Sequence, residues 1–176
     1  MHGGASLFVD TFAAAAALRA AHPEDFAQLT TTPVPFQYIN GDRHLHHAHP
    51  TIALGPSTGF DGRAPEPRIT AVSYSPPFQA PFPRDTPSTF YDALARFAAI
   101  AEAPAAVYTH KLKEGDAAIF DNHRLLHGRT AFEDRPREEG EAGGKLNRWL
   151  KGCYFEADIM ASHGRVLRAR AARGEI

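Results

Sequence analysis

His127 is the residue in this sequence whose surroundings most clearly suggest chemistry. It ends a β-type run and is followed by Gly128, within the pattern Phe-Asp-Asn-x-Arg-x-Leu-His-Gly-Arg over residues 120–129. A neutral imidazole binds divalent transition metals such as Fe(II), and a glycine beside it permits a close approach of the backbone. His127 is therefore a candidate metal ligand. An ordinary histidine at the end of a strand is the alternative.

A second candidate lies on the next predicted strand, in the run Arg-Trp-Leu-Lys-Gly-Cys-Tyr over residues 148–154. Arg148 offers a planar, permanently charged fork that binds a carboxylate through two hydrogen bonds. A surface arginine that pairs with Glu133 or Asp134 is the alternative. Tyr154 follows at an even spacing, so on a strand it shares a face with Arg148. Its ring is predicted to bind a quaternary ammonium group, and a core tyrosine is the alternative.

The other histidines and the one cysteine receive ordinary interpretations. His123 would share a face with His127 only on a helix, and this stretch is β-like. The segment before Pro50 contains four histidines, His44, His46, His47 and His49. Their spacing predicts a solvated His-rich loop rather than a metal site. The His22-Pro23-Glu24 triplet lies in a helical segment, so it is rejected as a ligand pair. Cys153 is interpreted as a small buried hydrophobic residue.

Together, residues 115–129 and 147–154 resemble the C-terminal core of the Fe(II)/2-oxoglutarate dioxygenases. Within the taurine dioxygenase-like superfamily, the sequence resembles γ-butyrobetaine dioxygenase and trimethyllysine dioxygenase, and the similarity begins at Gly3. The resemblance implies a double-stranded β-helix (jelly roll) and Fe(II) bound by His127. It also implies 2-oxoglutarate bound by Arg148, with ascorbate as an optional reductant. Tyr154 would contact a small betaine substrate.

In this family a His-x-Asp pair supplies the first two iron ligands, and it precedes the stretch that resembles Gly3–Asp10. Residues 1–176 are therefore expected to form the C-terminal part of a single catalytic domain, truncated at the N-terminus and inactive or weakly active alone. The expected reaction is hydroxylation in carnitine biosynthesis. Two alternatives stay open: a related oxygenase with another small acid as substrate, and a non-catalytic remnant.

Several elements must position these residues. Asp10 is predicted to cap a helix from Thr11 to about Ala21, and a short helical turn covers Glu24–Leu29. Thr86 should cap a third helix, whose apolar face recurs at spacings of four, three and three. The residues of that face are Phe90, Leu94, Phe97 and Ile100. Strands are predicted at residues 36–39, 51–54, 68–73, 107–112, 117–120 and 149–155, with an exposed loop over residues 135–145 and a frayed basic helix over 164–173. The fold class is mainly β with flanking helices.

Composition narrows the classes of partner. The 19 Lys and Arg residues nearly balance the 20 Asp and Glu residues, and they form no basic stripe, which argues against nucleic acid. The longest apolar run is far shorter than the ~20 residues that span a bilayer. A single cysteine cannot form an internal disulfide. We expect a protein with a small-molecule substrate, a cytoplasmic or mitochondrial location, no membrane partner, and a homodimer as one compatible assembly of the full-length protein.

Overall fold

A computed structural model describes residues 2–55, 67–133 and 150–176. The chain divides into two compact units, one from His2 to Glu133 and one that includes residues 150–176. The first unit contains, in chain order, β1 (His2–Gly3), β2 (Ser6–Asp10), α1 (Thr11–Ala21), α2 (Pro23–Thr31), β3 (Pro33–Asn40), β4 (Arg43–Pro50), β5 (Ile52–Leu54), β6 (Ile69–Val72), a 3-10 turn (Pro76–Phe78), α3 (Ser88–Ala101), β7 (Val107–His110), β8 (Leu125–Arg129) and β9 (Phe132–Glu133). The second unit contains α4 (Ala157–Ala172).

Four small antiparallel sheets account for the strands of the described residues. The largest has the order β7-β2-β8, and the pairs β1-β9, β3-β4 and β5-β6 form the others. Antiparallel sheets with flanking helices are therefore confirmed. The jelly-roll arrangement, the N-terminal truncation and the single domain over residues 1–176 stay predictions.

Three helices form the buried core of the first unit. The fully buried side chains Leu18 and Leu29 come from α1 and α2, and Phe90 and Phe97 come from α3. Leu94 and Ile100 pack against this core, so the predicted apolar face of α3 is confirmed. One face of the large sheet lies on the same core, because Val9 and Leu126 pack against it.

Asp10 joins α1 to the strand that carries His127. Its Oδ1 accepts hydrogen bonds from the backbone N–H groups of Phe12 at 3.0 Å and Ala13 at 3.4 Å, as predicted for an N-cap. The Arg124 guanidinium donates to both carboxylate oxygens, Nε to Oδ1 at 3.1 Å and Nη2 to Oδ2 at 2.6 Å. The Arg124 carbonyl in turn accepts from the Thr11 backbone N–H at 3.0 Å. The start of α1 and the start of β8 are thereby fixed to each other.

Three local predictions are wrong. Pro87, not Thr86, occupies the cap position of α3, because the Thr86 hydroxyl donates to the Pro83 carbonyl at 2.8 Å instead. Residues 117–120 form no strand: Ala117 and Ala118 line a cavity beside Phe8 and Tyr108 instead of extending the sheet at the outer edge of β7. The described residues of the last predicted strand, 150–155, are not a strand either.

The His-rich segment was also assigned wrongly, as a loop. Residues 43–50 form β4, which pairs with β3 along its whole length. The connection is a two-residue turn in which Gly41 has a φ of +59°. A positive φ at the first turn position favours a tight hairpin, so the histidines that follow are placed on a strand rather than in a loop.

The basic C-terminal tail forms a regular helix that begins earlier than predicted. α4 spans Ala157–Ala172 and has no buried residue. Cys153 is exposed, which makes the buried-hydrophobe interpretation wrong: no described strand covers this residue. The loop predicted for residues 135–145 lies outside the described residues.

We expect Asp10→Ala to lower the free energy of unfolding at neutral pH by about 0.5–2 kcal/mol, the usual cost of removing an N-cap, and Asp10→Asn to cost less. The pKa of Asp10 is lowered from 3.8, first by the hydrogen bond from Arg124 and also by the backbone N–H groups that it caps. The ionised carboxylate therefore contributes fully above pH 3.8, and its contribution disappears as pH falls through the lower folded value.

Urea unfolding at a series of pH values that extends below pH 3.8 tests the prediction. Asp92→Ala, which removes an exposed carboxylate of α3, is the control. The stability difference between the wild type and Asp10→Ala should shrink at the acid end. A difference that is independent of pH would contradict the charge argument.

Candidate functional site

His127 lies on the sheet face opposite the helical core. Its neighbour Leu126 packs against that core, and side chains alternate along a strand, so the His127 ring is directed away from the helices. The side chain is exposed. Across the sheet, His127 is in register with Phe8 on the central strand β2.

Aromatic side chains surround His127 on this face. The Phe120 ring lies 5.1 Å from the His127 ring and 5.6 Å from the Phe8 ring, measured between centroids. Tyr108 on β7 is in register with Phe8, and their ring centroids are 6.5 Å apart. The aromatic face, as we call Phe8, Tyr108, Phe120 and His127, therefore runs across all three strands.

A shallow cavity of about 460 Å³ lies on the same side of the sheet. Its apolar wall includes Phe8 and Tyr108, and its polar edge includes His110 and Asp116. His110 Nε2 and Asp116 Oδ2 are 3.6 Å apart. The pKa of Asp116 is lowered, first by the hydrogen bond from the Lys113 backbone N–H and also by His110. The cavity thus combines aromatic rings with a carboxylate that stays ionised at neutral pH.

A hydrogen-bonded turn precedes β8 and sets the start of the strand. Asp121 Oδ1 accepts from the His123 backbone N–H at 2.8 Å, and the Asp121 carbonyl accepts from the N–H groups of Arg124 and Leu125. Asp121 therefore fixes the turn from which β8 begins. Gly128 has no close neighbour in the described part of the chain, where an added Cβ would meet nothing within 4 Å. The close backbone approach predicted there is wrong.

Sequence reasoning missed the bond between Asp10 and Arg124. The capping role of Asp10 was visible from the helix that follows it, but the pairing with a residue 114 positions away leaves no local signal. The contact of the Arg124 guanidinium with both carboxylate oxygens of Asp10 becomes apparent only when β2 and β8 are paired.

The other predicted site residues lie outside the unit that carries His127 or outside the described residues. Arg148 is outside the described residues. Tyr154 belongs to the second unit, where its side chain is 86% exposed. Within residues 2–55, 67–133 and 150–176, no group of three or more His, Cys, Asp or Glu side chains could hold a metal ion. The described part of the chain supplies one of the ligands expected in this family, the His127 imidazole, and does not by itself fit a three-ligand iron site.

Comparison with known proteins assigns the family. The profile of the taurine catabolism dioxygenase TauD, TfdA family matches residues 1–154. The chain belongs to this family. It is 44% identical over 168 residues to "Dioxygenase str8" of Strobilurus tenacellus, a match that covers 96% of this chain and 37% of that protein.

Two further relatives have names that state a substrate. The chain is 36% identical over 170 residues to the γ-butyrobetaine dioxygenase of Pseudomonas sp. (strain AK-1), covering 94% of this chain and 39% of that protein. It is 31% identical over 175 residues to the human γ-butyrobetaine dioxygenase, covering 98% and 42%. The chain therefore spans about two fifths of the length of these relatives. No helix of the described residues has the length and apolar character to cross a membrane.

The exposed aromatic face should promote self-association of the chain. Ile119, which borders it, is 90% exposed, and exposed apolar patches of this kind drive aggregation. We expect Ile119→Lys to raise the protein concentration at which light scattering first detects oligomers. Ala95→Lys adds the same charge on the exposed side of α3 and serves as the control, for which we expect a smaller change. A wild-type chain that stays monomeric at high concentration would contradict this prediction.

Proposed function

We propose that this chain contributes the metal-binding histidine and the cosubstrate-binding arginine of a Fe(II)/2-oxoglutarate-dependent hydroxylase. The observation that carries the proposal is the placement of His127. Its exposed imidazole stands on a strand, beside aromatic rings and a cavity, within the motif that marks the family. The chemistry supplied by bound iron is the oxidative decarboxylation of 2-oxoglutarate coupled to hydroxylation of a C–H bond.

Each residue has a defined task in this proposal. His127 supplies one of three iron ligands, and a His-x-Asp pair from outside these 176 residues supplies the other two. Arg148 binds the far carboxylate of 2-oxoglutarate through its planar fork. Asp10 and Arg124 hold the start of β8 and so position His127. In the complete jelly roll, the aromatic face lines the interior.

A small betaine is the proposed substrate. Support comes from relatives named γ-butyrobetaine dioxygenase and trimethyllysine dioxygenase, which is why we place the reaction in carnitine biosynthesis. Tyr154 is the proposed contact for the trimethylammonium group. "Dioxygenase str8" carries no substrate in its name, and its 44% identity favours a second candidate, a related oxygenase that acts on another small acid.

The 176-residue chain alone should bind Fe(II) weakly and produce no succinate from 2-oxoglutarate. A single imidazole competes poorly with water for a divalent ion. Anaerobic calorimetry with Fe(II) and a succinate assay of the iron-loaded chain measure the two quantities. Succinate formation at an enzymatic rate would show that the chain is catalytically complete.

Substitutions in a longer chain that includes an upstream His-x-Asp segment separate the two proposed roles. We expect Arg148→Lys to raise the 2-oxoglutarate concentration needed for half-maximal rate by about 10- to 100-fold, since a charge-assisted contact is worth about 1.5–3 kcal/mol. His127→Ala should abolish turnover at every cosubstrate concentration. Arg96→Lys is the matched control, because Arg96 pairs with Asp25 between the helices, Nε to Oδ2 at 2.6 Å. An unchanged 2-oxoglutarate requirement in Arg148→Lys would shift the assignment to another arginine, with Arg129 next.

The same longer chain identifies the substrate. γ-Butyrobetaine and trimethyllysine should be compared with small acids that lack a quaternary ammonium group. Tyr154→Leu should weaken binding of the betaine that serves as substrate by about 0.5–2 kcal/mol, which is the cation–π contribution of one ring. Turnover of a non-betaine acid alone, unaffected by Tyr154→Leu, would favour the second candidate.

A further inference from the structure

The β3–β4 hairpin presents its four histidines as two pairs on opposite faces. Side chains along a strand point alternately to its two faces. His44 and His46 therefore share one face of β4, and His47 and His49 share the other. The register fixes the faces: His47 lies opposite Phe36 and His49 opposite Val34, whereas His46 lies opposite Gln37 and His44 opposite Ile39. Because cross-strand partners share a face, the His47/His49 pair lies on the Phe36 side and the His44/His46 pair on the Gln37 side.

The His49 ring is held in one orientation. It is half-buried and stacks on the Phe36 ring, with centroids 4.7 Å apart and planes 19° from parallel. His49 Nδ1 lies 3.2 Å from the Pro50 carbonyl oxygen. Since a carbonyl oxygen can only accept, Nδ1 is the donor in this contact, and Nε2 is the ring nitrogen that is available to a metal ion. This arrangement, one ring nitrogen donating to a backbone carbonyl, is the usual support of a metal-binding histidine.

His47 lies at a suitable distance from this ring. The centroids of His47 and His49 are 5.4 Å apart. Two imidazoles that bind one Zn²⁺ at about 2.0–2.1 Å through nitrogen, at a tetrahedral angle, have ring centroids about 5 Å apart. The observed spacing therefore needs only side-chain adjustment, without movement of the strand.

We propose that His47 and His49 form a binding site for a divalent transition metal ion, separate from His127. The site has two protein ligands, because the described residues contain no cluster of three or more potential ligands, and water fills the remaining positions. Two neutral imidazoles favour borderline ions such as Zn²⁺, Ni²⁺ and Cu²⁺ over Mg²⁺ or Ca²⁺. The His44/His46 pair differs in how its ring is held: His44 Nε2 lies 3.4 Å from the side-chain Oε1 of Gln37, whereas His49 is held by a backbone carbonyl.

Zinc titration of the metal-free 176-residue chain tests this assignment by calorimetry in a non-coordinating buffer. We expect one ion per chain, with affinity reduced roughly tenfold or more in His47→Gln and in His49→Gln. The double variant His44→Gln/His46→Gln removes two imidazoles from the other face of the same strand, one more than either single variant, and its affinity should stay within about twofold of wild type. Circular dichroism checks the fold of each variant. His47 is exposed, so His47→Gln tests the site without disturbing the Phe36 stack.

His127→Gln distinguishes this site from the proposed catalytic one and should leave the zinc titration unchanged. Three results would overturn the proposal: no zinc binding to the wild-type chain, a loss of affinity in His44→Gln/His46→Gln as large as that in His47→Gln or His49→Gln, or loss of binding in His127→Gln. None of these results bears on the role of His127 in a longer chain, which the succinate assay measures.

Discussion

The pairing of β2 with two strands from the far end of the unit organises the sheet that carries His127. β2 lies between β7 and β8, so its backbone hydrogen-bonding groups are used on both edges. One face of this sheet packs on the helices through Val9 and Leu126. The opposite face is thereby left for Phe8, Tyr108 and His127, and their mutual distances follow from the register. The contact between the Asp10 carboxylate and the Arg124 guanidinium joins the end of β2 to the start of β8, beside the start of α1.

Elements with local signals were predictable from the sequence. Asp10 before an alanine-rich run indicated α1, and the four-three-three spacing from Phe90 to Ile100 indicated the buried face of α3. His127 was identified because its motif is dense and short, but it lies in the middle of β8 rather than at the end of a strand as predicted.

Features that depend on long-range contacts were not predictable. Residues 117–120 have a strand-like composition, but they lie over the sheet face beside Phe8 instead of along the outer edge of β7. The contact between Asp10 and Arg124 crosses nearly the whole unit. In these two cases tertiary contacts decide the outcome. The β4 histidines are a different case, because Gly41 and Asp42 form a two-residue hairpin turn, a local signal that the loop prediction overlooked.

The central position of β2 also affects how the chain is made. β2 is synthesised before both of its partner strands, and β8 follows more than a hundred residues later. At typical translation rates this interval lasts on the order of ten seconds. The helices α1, α2 and α3 are complete before either partner strand, so the helical core can collapse first. Until β7 is made, both edges of β2 lack the partners that they have in the folded sheet, and an unpaired strand edge is open to incorrect pairing.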